Sequence, residues 1–438
     1  MRRFFDKPSL STYFGNVVKT VTFRQSAVTF SGTLINGLLG AGFYIVAARL
    51  LGPSLFGVLS IAIVTLALVA DIGDFGTNTG LTRFVSKYAK DDPQKANQFL
   101  KLGLIIKLTV AFLVIIIGVL LSPFIANTLL TKPELVIPLR ISFIGVGTTW
   151  LFSFITVTLQ SFQKFWKWSI IQIITNFLRF LLVVIFFLIT KIDVNSTLIV
   201  YILMPFIGFV IGLTMIPRGF IKSKNEFSLF KEFFQYNKWV AVFLVIASIS
   251  SRLDTFISAR LLTVAEIGFY GAATQLTQVI PQLVGAIGTV IAPKMAGMGN
   301  LKTVLAYYKK TQIFVLGLAI LGLAVIPFAR FIIPFLYGKE FVGAVPVFII
   351  LICAMLVFLI SVPIHNMVIY YFAYPKLFSL ISLVHLLIIA IFGWFMISRF
   401  GLVGAAFSVL VAQIMDFIIP AIWLYQKIKN PQYLVTER

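Results

Sequence analysis

The chain is short of almost everything that enzymes use. Of its 438 residues only 14 are acidic and two are histidine, and Cys353 is the sole cysteine. A single thiol inside an apolar run excludes a disulfide framework and a thiolate metal site. His365 and His385 fall in different apolar segments without the HExxH spacing of a zinc hydrolase, so no metal centre is expected. There is no Walker loop, and ATP hydrolysis by this chain alone is not expected. Charged residues make up 11%, against about a quarter in a soluble domain. The polar bridges between apolar segments are short, leaving no room for an extramembrane catalytic domain.

What the chain has in excess is apolar surface: 60% of residues are hydrophobic and the mean hydropathy is +1.02. It reads as an all-α integral membrane protein. The net charge of +22 has no polar domain to carry it and sits in short loops, so it points to membrane topology and lipid contact, with no nucleic-acid partner. Crossing about 30 Å of hydrocarbon takes roughly 20 helical residues. About twelve such segments are present, near 27–50, 55–77, 101–122, 135–160, 168–190 and 196–216, then 237–262, 267–292, 310–333, 343–370, 377–398 and 402–425.

Lysine and arginine test this segmentation, because a wrong helix count would scramble their bias between alternate loops. About 25 fall on one side and about 7 on the other. Both termini are therefore expected in the cytoplasm, and the protein in the cell membrane. The chain divides into a basic N-terminal segment at 1–26, a six-helix lobe at 27–216, a linker at 217–236, a second six-helix lobe at 237–425 and a tail at 426–438. Residues 10–25 read as an interfacial amphipathic helix or an ordinary basic flank. The N-terminus lacks the pattern of a cleaved leader, so insertion is expected to begin with the first spanning helix.

The two lobes repeat each other. Residues 47–62, AARLLGPSLFGVLSIA, return 211 positions later as 258–273, SARLLTVAEIGFYGAA, with Arg49/Arg260, Leu50/Leu261, Leu51/Leu262 and Gly57/Gly268 in register. Six spans per half make the repeats parallel, a standard transporter plan in which two bundles rock about a site between them.

The remaining chemistry lies in ionisable groups at membrane depth, where a charge costs roughly 2.5–3.5 kcal/mol even on lenient scales. Arg179, near the middle of the fifth segment, suits an anion contact in a central cavity or a structural hydrogen bond to Asn176. Arg252 and Asp254, in the seventh, are two residues apart and diverge around a helix, so each needs a partner elsewhere. Asp254 could take a proton or sodium ion, or form an ion pair. Asp71, Asp74 and Asn78 fall on one helical face at an inner end, to gate or merely cap it. Asp416 and His385 are further candidates for ion coupling. Lys107 and Arg140 are expected to snorkel. Arg49 and Arg260 are expected to snorkel or cap helices at equivalent outer ends. Gly37, Gly40 and Gly42 are expected to allow close helix packing, and Pro205, Pro281 and Pro363 to kink helices.

ARLLGPSLFGVLSIA followed by LVADIGDFGTNTGLTRFVSKYA, with RLDTFISARLLTVAEIGFYGAATQL in the second half, resembles the polysaccharide or oligosaccharide flippases. These are the Wzx-like branch of the multidrug/oligosaccharidyl-lipid/polysaccharide (MOP) superfamily. The resemblance implies a MATE/MOP-like fold of two pseudo-symmetric six-helix bundles around a central cavity. It also implies transfer of a polyprenyl-diphosphate-linked oligosaccharide between leaflets, contacts with membrane lipids and with a glycan polymerase or other export proteins, and cationic cavity residues. Arg179 and Arg252, with Asn176, are nominated for that role by depth. A small-molecule exporter of the multidrug branch is the first alternative, and a membrane glycosyltransferase or polymerase the second. No cofactor is expected beyond H+ or Na+ coupling.

Overall fold

Hydrocarbon offers no partner to a backbone N–H or C=O, so a chain this apolar must close its hydrogen bonds within helices. The computed structural model describes residues 21–189, 193–224, 226 and 228–429, and among them there are helices and turns but no strand. The segment at 10–25 lies mostly outside the described residues, as does the tail from 430.

The N-terminal half holds α1 (Val21–Gly73), α2 (Thr77–Tyr88), α3 (Pro93–Phe124), α4 (Val136–Ser161), α5 (Phe165–Ile189) and α6 (Val194–Gly212). The C-terminal half holds α7 (Ser228–Ser250), α8 (Leu253–Leu261), α9 (Val264–Thr277), α10 (Val279–Ala296), α11 (Leu301–Leu323), α12 (Ala329–Tyr337), α13 (Ala344–Asn366), α14 (Lys376–Leu387) and α15 (Trp394–Lys429). Among the described residues ten helical rods are long and apolar enough to cross a membrane. Two of these are about twice the length one crossing needs: Val28–Gly73 has 46 residues and Lys376–Lys429 has 54. Each is broken near its middle, at Gly52 (φ 69°) and Gly401 (φ 58°), where a side chain would be strained and glycine is not. Counting each as two crossings gives twelve spans, six per half.

The bridge at 78–101, which the sequence reading leaves between spans, carries the amphipathic helix α2. Proline sets several interior breaks, because its ring removes a donor and crowds the carbonyl four residues back. α9 gives way to α10 at Gln278, three residues before Pro281, and a π-helical turn follows Pro123 at Ile125–Leu129 and Pro363 at Met367–Tyr371. The outward surface is strongly apolar: Phe112, Leu120, Leu188, Phe331 and Phe335 are each 65–76% exposed. A surface like this belongs against acyl chains, and the protein is a multi-pass membrane protein.

The two copies of the repeat meet. α9 runs along α1, and the equivalent glycines Gly57 and Gly268 sit at the contact. A Cβ on Gly57 would lie 1.8 Å from the Val264 carbonyl oxygen, and one on Gly268 would lie 2.0 Å from that of Pro53. The contact lies towards the lysine-poor ends of the spans, where Phe56 also meets Phe341 edge-on across the halves. Of the three glycines expected to allow packing, Gly37 abuts Gln282 and Gly42 abuts Phe180. Gly40 faces open space, so its small size serves no contact here.

Candidate functional site

In the N-terminal half, helices α1, α5 and α6 converge on a polar group within an otherwise apolar bundle. Arg179 Nη1 donates to Asn176 Oδ1 at 2.9 Å, and the Asn176 amide donates in turn to Asn36 of α1. The guanidinium carbon lies 4.2 Å from the ring centroid of Tyr201, a cation–π arrangement. Arg179 Nε is buried without a partner, and among the described residues no carboxylate pairs with this cation. The Tyr44 hydroxyl lies 3.4 Å from that of Tyr201 and borders a cleft of about 40 Å³ between the halves. Ser60 lines the cleft from the N-terminal side, and Thr255, Tyr270, Thr274 and Gln275 from the C-terminal side. Beyond it, Tyr270 donates to Asp254. Polar groups thus continue from Arg179 through two tyrosines and the cleft to Asp254.

Towards the lysine-rich end the structure redraws two expectations. Asp71, Asp74 and Asn78 do not share a helical face, because the chain turns at Phe75 (φ 46°) and Gly76 (φ 75°). Asp71 instead reaches the opposite half, with Oδ2 2.7 Å from Arg252 Nη2, and Asp74 turns inward. Lys107 does not snorkel. It is 3% exposed, donates to Asp74 Oδ1 at 2.8 Å and Ser153 Oγ at 3.1 Å, and the other Asp74 oxygen accepts the Asn78 N–H at 3.1 Å. An ammonium buried this deeply needs a carboxylate with its remaining positions filled, and Asp74 is that group. Arg252 and Asp254 do not lie in mid-helix: α7 stops at Ser250, Arg252 caps α8 and Asp254 sits in the first turn of α8, so the two side chains leave from a helix junction to different partners. Arg140 is exposed.

The third cluster is a cavity of about 330 Å³ within the C-terminal half, lined by groups from α7 to α10 and α13 to α15, with Asp254, His385 and Asp416 in its wall. His385 Nδ1 is 2.6 Å from Asp416 Oδ2, and His365 Nε2–H donates to the Asp416 backbone carbonyl at 3.0 Å. Asp416 Oδ1, Gln413 Oε1 and Thr274 Oγ1 are buried without partners, although all three residues line the cavity. Their polar edge gives the cavity wall capacity to accept hydrogen bonds from whatever enters it. Among the described residues no cluster has the make-up of a transition-metal site.

A family model for polysaccharide biosynthesis proteins matches residues 23–298. The chain belongs to that family. No curated protein matches it. Among solved structures it is similar to a lipid II flippase MurJ in an inward closed conformation, with 16% identity, TM-score 0.72, and 90% of this chain and 87% of that one covered. It is similar to an inward-facing MATE multidrug transporter of the MOP superfamily, with 12% identity, TM-score 0.71, and 92% and 98% covered. It is also similar to a MOP superfamily transporter from Pyrococcus furiosus, with 14% identity, TM-score 0.59, and 92% and 94% covered. At these identities the likeness is one of fold, and the fold is MOP-like.

For this member of the polysaccharide biosynthesis family, a signal that would have located the C-terminal cavity lies in the repeat itself. At the same offset of 211, Asp254, Tyr270, Thr274 and Thr277 stand opposite Phe43, Leu59, Ile63 and Leu66. The four N-terminal residues are buried core, whereas the four C-terminal ones line the cavity. A polar residue in one copy of a duplicated helix where the other keeps an apolar one marks the place where packing gave way to a site.

Proposed function

We propose that the protein is a flippase carrying a polyprenyl-diphosphate-linked oligosaccharide across the cell membrane by alternating access, for cell-surface polysaccharide or glycan synthesis. In this reading the lysine-rich face and both termini are cytoplasmic, residues 27–216 and 237–425 are the moving lobes, and 217–236 links them. Membrane lipids surround it, and a glycan polymerase or other export protein receives its product. Family membership supplies the setting. Arg179 carries the assignment, since an unneutralised guanidinium among aromatic and amide groups, joined through Tyr201 and Tyr44 to a cleft between the halves, is the contact this reading gives the diphosphate. Arg252, paired across the halves with the partly exposed carboxylate of Asp71, is in this reading a second contact at the lysine-rich entry. A diphosphate and its sugars lose hydration on crossing hydrocarbon while the isoprenoid tail is at home there, so the protein need shelter only the head.

A purified, liposome-reconstituted protein should expose the headgroup of a labelled lipid-linked oligosaccharide to an external reagent, and Arg179→Gln should slow this by about tenfold or more. No headgroup transfer by the intact protein would overturn the reading.

A second reading, an ion-coupled exporter of small molecules, is favoured by the acid-lined C-terminal cavity, and efflux of a cationic dye from liposomes would establish it. Within the flippase reading the same cavity serves coupling: Asp254, His385 and Asp416 exchange H+ or Na+ with each cycle, so headgroup transfer should follow an imposed gradient of one of those ions.

A further inference from the structure

We infer that Arg49 and Arg260 are positioning residues of the transport cycle, forming a reciprocal pair of clamps that hold the lysine-poor face shut. The inference rests on the alternating-access reading, but its test needs no sugar lipid. The last carbonyls of a helix have no partner within it and attract cations. α12 ends at Tyr337, and Arg49, from the other half, donates through Nε to the Leu336 carbonyl at 2.6 Å and through Nη2 to that of Phe335. Arg260, its equivalent in the repeat, crosses the other way and donates through Nη1 to the Thr128 carbonyl at 3.2 Å. Thr128 lies in the π-helical turn that ends the third span of the N-terminal half, just as α12 ends the third span of the C-terminal half. Each half therefore finishes the third span of the other with an arginine from the end of its own first span.

The clamps flank the place where Gly57 and Gly268 bring the two backbones together. If the halves part at this face, both guanidiniums lose their carbonyls in the same movement. Backbone acceptors do not titrate, which distinguishes this closure from the Asp71–Arg252 ion pair at the opposite end. Lys132 is a charged neighbour of Arg260, and burial, with Arg260 adding to it, lowers the Lys132 ammonium from its ordinary range. Glu266 is engaged in the capping box of α9 with Thr263, so it is not the group that holds Arg260 across the interface.

The test uses the full chain with Cys353→Ala and a reporter, Ser60→Cys, in the cleft between the halves, labelled in proteoliposomes of known orientation by a membrane-impermeant maleimide on the lysine-poor side. Arg49→Gln and Arg260→Gln should each raise the labelling rate about 5-fold, and the double variant about 25-fold, since each removes one of two independent restraints on the same opening. Arg399→Gln, on the same face but over the Phe395 ring of its own helix, should leave the rate unchanged. Arg49→Lys, which keeps the charge but not the planar fork that meets the two carbonyls through separate nitrogens, should fall between wild type and Arg49→Gln. Thermal midpoints establish that each variant is folded. Unchanged labelling in the folded double variant, or a rise no larger than that for Arg399→Gln, would overturn the inference.

Discussion

Gly57→Ala is the smallest change that should bias this protein between its two openings. The added Cβ would stand 1.8 Å from the Val264 carbonyl oxygen, whereas ordinary contact begins at 3.4 Å, so the two backbones must move apart by about 1.6 Å. Neither is a flexible side chain that can rotate away. Overpacking of this kind costs about 1–3 kcal/mol, and at 1.36 kcal/mol per factor of ten that shifts an equilibrium about 5- to 150-fold. The penalty falls on the state in which the halves touch here, while the packing within each half is untouched. The population should therefore move towards opening at the lysine-poor face. Spin labels at Glu134→Cys and Val342→Cys, one on each half at that face, report the movement as a longer and broader distance distribution. Gly268→Ala, with a Cβ 2.0 Å from the Pro53 oxygen, should do the same. If Gly57→Ala folds with wild-type stability and leaves the distance distribution unchanged, the reasoning is refuted: the contact would then be no part of the opening.

The Lys107–Asp74 pair gives a different kind of outcome. Asp74→Asn strands a buried ammonium and should cost about 3–5 kcal/mol, whereas Lys107→Met with Asp74→Leu should be close to neutral, as read by thermal unfolding in detergent. Asp71→Asn removes a partner from a pair whose side chains are 25% and 49% exposed, so stability should change by less than about 1 kcal/mol while accessibility from the lysine-rich side rises. Asp254→Asn and His385→Gln should each remove the response of headgroup transfer to an ion gradient while leaving substrate binding in place. Finally, Ser196 holds the Asp193 carboxyl below its ordinary range at the start of α6. Its cap stabilises the fold above the ordinary carboxyl range and is lost as pH falls through the lowered value. Asp193→Ala should therefore cost about 1 kcal/mol at neutral pH and progressively less in acid.

Much of the architecture can be read from the chain because the bilayer simplifies the problem. A span must be apolar and helical, so hydropathy alone finds it, and the positions of lysine and arginine check the count. The duplication adds a second check: it puts Arg49 and Arg260 at equivalent positions, and in the structure they cross between the halves in opposite directions. Partnership is harder to read. Lys107 looks like a snorkelling residue from its depth, because only the turn at Phe75 and Gly76 reveals that Asp74 is delivered to it. The aspartate stripe failed for the same reason, since two left-handed residues reset the phase of a helix that periodicity treats as continuous. Arg252 looks like a mid-helix residue in the sequence because no glycine or proline announces the break after Ser250. The coupling candidates Asp254, His385 and Asp416 were each visible as misplaced polar groups, but that they line one cavity depends on packing among separate helices.

That cavity also divides the labour of holding the molecule together. Phe43, Leu59, Ile63 and Leu66 fill the interior of one twin, and their counterparts in the other, Asp254, Tyr270, Thr274 and Thr277, border a hollow. The hollow forfeits dispersion contacts that its sibling keeps. Pulled from its ends in a single-molecule force experiment, the chain should surrender its C-terminal half first.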